Sequence, residues 1–219
     1  AERINDYKHN KESRGAAINF EEYDGSIDCV EFTTDDRSYT TYLAFVPGEV
    51  LADMYARHKT RLLEMNVRVF LSQRVKVNKG IRDTIRYEPN LFCAYNNGIT
   101  VVAEKVKIEN SDKKLLIKAV KDFQIVNGGQ TTASLYHTRK KFKSDLSNIY
   151  VQMKLMVIND EAESNAGSQR LADTLIPKIG RYSNTQNKVS MSDLSANDKP
   201  HPELHKISLS TPARDPTGG

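Results

Sequence analysis

The sequence predicts an α+β (mixed α/β) fold, an antiparallel-rich sheet with packed helices. Three observations lead there. Residues 27–33 (IDCVEFT) and 39–46 (YTTYLAFV) alternate apolar and polar side chains around an Asp35-Asp36-Arg37-Ser38 turn, the pattern of paired strands. Val50, Leu51, Met54, Tyr55, Leu62 and Leu63 fall on one stripe at helical spacing. In 122–136 (DFQIVNGGQTTASLY) an apolar strand breaks at Asn127-Gly128-Gly129 and a helix starts at about Gln130.

Composition bounds the chain before the elements are taken in order. Its 219 residues are 38% hydrophobic and 27% charged, enough for a real core beneath a heavily charged surface. The net charge of +4 permits nucleic acid as a partner without demanding it. Cys29 and Cys93 sit in strand-like apolar runs. They read as buried small hydrophobes of a reducing compartment, so a cytoplasmic location is expected. No apolar run approaches a membrane span, and no membrane partner is expected. The polar start, AERINDYKHNKESRG, is not a signal peptide. The missing initiator Met and the loop-like ending TPARDPTGG suggest a piece of a longer protein. Three regions are expected: 1–46, N-terminal strands closing a preceding region; 47–198, the core domain; and 199–219, a C-terminal loop or the start of a further region.

Residues 1–16 are polar and predict no element. Asp24, Asp28, Glu31, Asp35 and Asp36 are scattered carboxylates without a lysine at nuclease spacing, so no metal site is expected there. Pro47-Gly48 opens the first helix, and His58 lies beside its stripe as a packed or half-exposed histidine. A strand is expected over 67–71 (VRVFL). Val77, Ile81 and Ile85 mark a second helix with Asn78 as N-cap, and Pro89 follows its end. Over 91–109 two apolar runs flank Asn96-Asn97-Gly98, which predicts a hairpin; the paired amides are also candidates to face a ligand. A turn at 110–113 then sends 114–120 back, so 91–126 reads as an antiparallel meander that brings the NGG turn to a sheet edge or end. The following helix ends in Arg139-Lys140-Lys141-Phe142-Lys143. Cations are favourable at a helix C-terminus; a nucleic-acid patch is the sharper alternative. Residues 149–158 predict a long strand and 160–175 a helix. His201 and His205 sit in HPELH, not HExxH, with Pro202 between them, and read as tail residues rather than zinc ligands.

Two stretches carry candidate chemistry. At Asn127-Gly128-Gly129, glycines after a buried strand free the backbone for positive φ and close approach. The helix that follows aims unpaired N–H groups and its positive dipole end at whatever lies over the turn. That describes an anion or phosphate site, with Asn127, Gly128, Gly129, Gln130, Thr131 and Thr132 as its residues. The alternative is an ordinary strand–turn–helix joint. The second stretch, 179–189 (IGRYSNTQNKV), is dense in amides. Amides donate and accept together, which suits a base edge, a sugar or a backbone. Arg181 and Lys188 would reach phosphate; the alternative is a capped loop. Asn96, Asn97, Arg181, Asn184, Gln186 and Asn187 are the expected lining of the site.

Taken in order, LLEMNVRVFL, VNKGIRDTI, LFCAYNNGITVVA, QIVNGGQTTASLY and RYSNTQNKVSMSDLSAND resemble the AIPR family, the abortive-infection phage-resistance proteins, over roughly Leu43 to Asp198. The resemblance implies bacterial antiphage defence, often beside restriction–modification genes, with restriction–modification or other defence proteins as partners. It also implies relatives much longer than this chain. A second similarity is mechanistic. IVNGGQTTASLY looks like the strand–DGQQR–helix motif of ParB-like proteins, which implies a possible ParB-like core, nucleotide binding and, in several members, triphosphate hydrolysis. A nucleoside triphosphate with Mg is the cofactor that motif would call for. Asn127 stands where the motif has Asp, and Thr131 where it has Arg. The first change removes a metal- or water-orienting carboxylate, the second a bidentate phosphate donor. Binding through backbone N–H groups is compatible with both, whereas hydrolysis would need Arg181 or another residue as substitute. The expectation is an antiphage module that binds a nucleotide or nucleic-acid phosphate at the NGG turn. A non-catalytic scaffold or interaction domain and a restriction-associated nuclease are the alternatives.

Overall fold

The structure, a computed structural model, describes residues 15–23, 25–35, 39–63, 79–111, 114–158, 175–176 and 178–183. Seven strands are described: β1 (Ala16–Asn19), β2 (Ile27–Thr33), β3 (Tyr39–Pro47), β4 (Ile99–Ala103), β5 (Lys105–Ser111), β6 (Lys114–Asn127) and β7 (Tyr150–Ile158). The helices are α1 (Gly48–His58), α2 (Lys79–Tyr87), α3 (Phe92–Tyr95) and α4 (Gly129–Phe142).

β6 is the spine. Its 14 residues pair along one edge with β5 and then β4, and along the other with β1 and β2. From β2 the sheet continues to β3, β7 and β4, and β4 returns to β6, so the pairing closes on itself. Only β4 with β7 is parallel among the pairings between these strands. The expected α+β class with an antiparallel-rich sheet is therefore what the chain adopts. The alternation of Tyr39–Pro47 buries Thr40, Tyr42, Ala44 and Val46, and the same alternation in β7 buries Val151, Met153 and Leu155.

The stripe on α1 behaves as its spacing predicts. Val50, Leu51 and Met54 are buried, Tyr55 packs at the margin, and Leu62 and Leu63 follow into the core after a 3-10 turn. α1 lies on α4, with Asp53 and Arg139 paired and the Tyr55 and Tyr136 rings 5.4 Å apart. Arg139 and Lys140, from the basic end of α4, are held by Asp53 and by the ring of Tyr136.

Three expectations need correction. Asn96-Asn97-Gly98 does not close a hairpin. Residues 92–95 form the short helix α3, which delivers the turn to β4, and β4 pairs with β6 and β7 instead. The apolar run before the turn buries Phe92, while Leu91 and Tyr95 stay exposed, so there is no strand face for a partner to cover. The meander therefore begins only at β4. Cys93, on α3, is exposed rather than buried, and Cys29 on β2 is half-buried. Finally, β1 and the 3-10 turn Phe20–Tyr23 have no counterpart in the sequence reading, yet Ala16, Ile18 and Phe20 are core residues. The expected strand at 67–71, the Asn78 cap, most of the 160–175 helix and His201 and His205 lie outside the described residues. No helix among the described residues is long and apolar enough to cross a membrane.

Candidate functional site

The candidate site is the corner where β6 passes to α4. Gly128 is the N-cap of α4 in left-handed geometry (φ 88), and no side chain caps that helix end. Left-handed backbone costs an L side chain about 1–2 kcal/mol, so glycine belongs there. Space requires it as well: a Cβ on Gly128 would lie 2.6 Å from the carbonyl oxygen of Gly98. Gly98 is itself at φ 74 and is packed against the backbone of Gln152 on β7. The two glycine turns, 30 residues apart by number in a chain read as two separate motifs, are thus seated backbone to backbone.

The amides around them make defined bonds. Asn96 Oδ1 accepts from the N–H of Gly98 at 2.9 Å, and Asn96 Nδ2 donates to Thr131 Oγ1 at 3.2 Å. Asn127 Nδ2 donates to the carbonyl of Ser183 at 2.8 Å. That bond brings the described part of the second amide-rich stretch to the NGG turn, with Gly180 lying over Val126. Arg181 and Asn97 are exposed, and Asn127, Gly128 and Gln130 are half-exposed. Asn184, Gln186 and Asn187 lie outside the described residues.

Two predicted contacts are reassigned. Thr131 is 5% exposed and Thr132 fully buried. Thr132 sends its N–H and its hydroxyl to the carbonyl of Gly128, at 3.2 and 3.4 Å. Both threonines face the core side of the first turn, because successive positions on a helix turn by about 100° and only Gln130 points outward here. Gly129 is buried.

Sequence reasoning missed three contributors. Gln152 backs Gly98, and Tyr95 and Tyr182 stand 60% and 66% exposed, each one residue before an anchor of the corner; Ser183, from the amide-rich stretch, enters through its carbonyl. A tyrosine directly preceding an amide or serine cluster, in YNNG and YSNTQN, is the signal that was available.

The described corner can hold negative charge with main-chain N–H groups, amides and Arg181. Among the described corner residues named above there is no carboxylate or imidazole. Among the described residues no three His, Cys, Asp or Glu side chains group where a metal ion could be held.

The family model described as AIPR protein matches residues 63–215. The chain belongs to the AIPR family. The matched span begins at Leu63 and contains α2 to β7, both glycine turns and the whole amide-rich stretch. Membership points to a role in abortive infection and phage defence. No curated protein and no solved structure matches the chain.

Proposed function

We propose that this AIPR chain is an antiphage module that binds the phosphate of a nucleotide or nucleic acid at the Gly128–Gln130 corner. The observation that carries the reading is the uncapped α4 N-terminus, whose cradle is set by two mutually packed glycine backbones. Main-chain N–H groups at a helix start favour anions. Gln130, half-exposed, and Asn97 and Arg181, exposed, are polar side chains there. The exposed Tyr95 and Tyr182 favour a ligand with a base over bare phosphate, since a nucleobase stacks on such rings for about 1–3 kcal/mol each.

Isothermal titration with ATP, GTP and short single-stranded DNA tests the reading. Micromolar to millimolar binding that weakens with salt and with Gln130→Ala is the expected result. Heat-silent titrations together with unperturbed amide spectra for every ligand sink it.

A specific observation favours the scaffold alternative. Asn96 and Asn127 are already engaged inside the protein. On that reading Gln130→Ala leaves phage protection intact at matched expression, whereas on the binding reading protection falls. Incubation of clean protein with plasmid DNA and Mg²⁺ or Mn²⁺ tests the nuclease alternative.

A further inference from the structure

The outer face of β2, β3 and β7 carries a bare apolar patch. Val30 and Phe32 are 69% and 64% exposed, Leu43 and Phe45 44% and 58%, and Tyr150 48%. The register gathers them. Val30 lies opposite Leu43, Leu43 opposite Lys154, Phe45 opposite Gln152, and Pro47 opposite Tyr150. A sheet with one wet face normally alternates apolar in and polar out. Here the inward residues Tyr42, Ala44 and Val46 are buried, and their outward neighbours Leu43 and Phe45 are apolar too. The same outer face is covered further along the sheet, where Val102 on β4 and Val126 on β6 are 1% and 0% exposed.

We propose that this bare face is a two-fold interface and that a second copy of the same chain covers it, sheet stacked on sheet. Area supports the assignment. A buried aromatic ring hides about 150–250 Å², so Phe32, Phe45 and Tyr150 at their exposures offer on the order of 350 Å². With Val30 and Leu43 the face reaches about 500 Å², the size at which a patch on a monomer is usually a binding surface. Two such faces remove about 1,000 Å², and the flanking Thr41, Gln152 and Lys154 bring the pair to the lower bound of a specific interface, about 1,200 Å². Chemistry supports it as well. A two-fold contact needs a patch complementary to itself, which the apolar centre of Val30, Phe32, Leu43 and Phe45 meets; Lys154 lies beside it and the Asp28–Lys114 ion pair at its edge. A partner recognised by charge would need a charged face. Two such sheets stack about 10 Å apart with strands within about 30°, and the axis passes near Leu43, the middle of the patch.

Sedimentation equilibrium and light scattering on the full 219-residue chain test the proposal. The expected result is a dimer with a dissociation constant of about 1–10 µM. Leu43→Glu and Phe32→Glu, on different strands, are each expected to weaken association at least about 100-fold with the far-ultraviolet circular dichroism of the folded chain unchanged. Lys107→Glu, on β5, is expected to leave it alone. Phe45→Gln is the milder variant that keeps the test readable if a glutamate prevents folding. A wild-type chain that stays monomeric at about 100 µM, a dimer that survives the face variants, or equal disruption by Lys107→Glu overturns the proposal.

Discussion

Gly128→Ala puts the packing of the two glycine turns to a quantitative test. The substitution acts twice. Alanine at φ 88 carries the left-handed backbone cost, about 1–2 kcal/mol. Its Cβ would lie 2.6 Å from the Gly98 carbonyl oxygen and 2.9 Å from Ile99 Cα, both backbone atoms that cannot swing aside. Overpacking of that kind costs about 1–3 kcal/mol. The sum, about 2–5 kcal/mol, is a large part of the roughly 5–15 kcal/mol that holds a domain folded. For a chain of this length it lowers the melting temperature by about 5–15 °C. Thermal unfolding followed by circular dichroism reads the effect, and Gly128→Asn separates its causes. Asparagine tolerates left-handed geometry but carries the same Cβ, so it is expected to lose about 1–3 kcal/mol. Gly25→Ala, at φ 123 with nothing within 4 Å of the added carbon, reports backbone cost without a clash. A Gly128→Asn chain as stable as wild type would refute the backbone-to-backbone contact, because the steric half of the cost would be missing.

Asn127→Ala removes the bond to the Ser183 carbonyl and is expected to destabilise by about 1 kcal/mol; hydrogen exchange over 178–183 should speed up, and unchanged exchange there contradicts the contact. Alkylation at pH 8 is expected to fall on exposed Cys93 and spare Cys29, whose thiol burial and the nearby Glu31 and Asp28 push up to about 11; mass spectrometry of Cys93→Ser then shows almost no labelling. His58 and His137 are held below the ordinary 6.5, first by burial and then by Arg57 and Arg61 for His58 and by Lys140 for His137. With folded values lowered, the unfolded chain binds more protons, so stability is full above about pH 6.5 and falls as pH drops below it. Urea unfolding at several pH values should show that slope, and His58→Asn with His137→Asn should flatten it.

Much of the architecture could be read because it follows from alternation and spacing. The period-two pattern of 27–33 and 39–46 gives β2 and β3 almost to the residue, and the NGG break marks the passage from β6 to α4. The NNG turn misled for an identifiable reason. Asn-Gly signals a hairpin only between two strands, and LFCAY buries a single large side chain, Phe92, which a short helix satisfies. β1 was invisible because AAIN is four residues without a β-branched run, and its pairing comes from β6, more than 90 positions later. At the corner, residue type was readable but direction was not. Thr131 and Thr132 look as suitable as Gln130 until the helix phase is set by Leu135 and Thr138 facing the core.

The engaged amides and the proposed anion cradle are not rivals for the same atoms. Asn96 spends its two polar atoms on Gly98 and Thr131, and Asn127 its amide nitrogen on Ser183, which ties three chain segments to one corner. The groups that would meet an anion are different: first-turn N–H groups of α4, which point along the helix axis and which no side chain caps. A cradle built this way loses little freedom on binding, because its walls are ordered beforehand. The two sets of groups should therefore separate under mutation. Asn96→Ala is expected to lower the melting temperature while changing ligand affinity only through unfolding. Gln130→Ala is expected to lower affinity with the melting temperature intact. If Asn96→Ala weakened binding at temperatures where the chain stays folded, and Gln130→Ala did not, the amide side chains would be the ligand contacts and the main-chain cradle would be an ordinary strand–turn–helix joint.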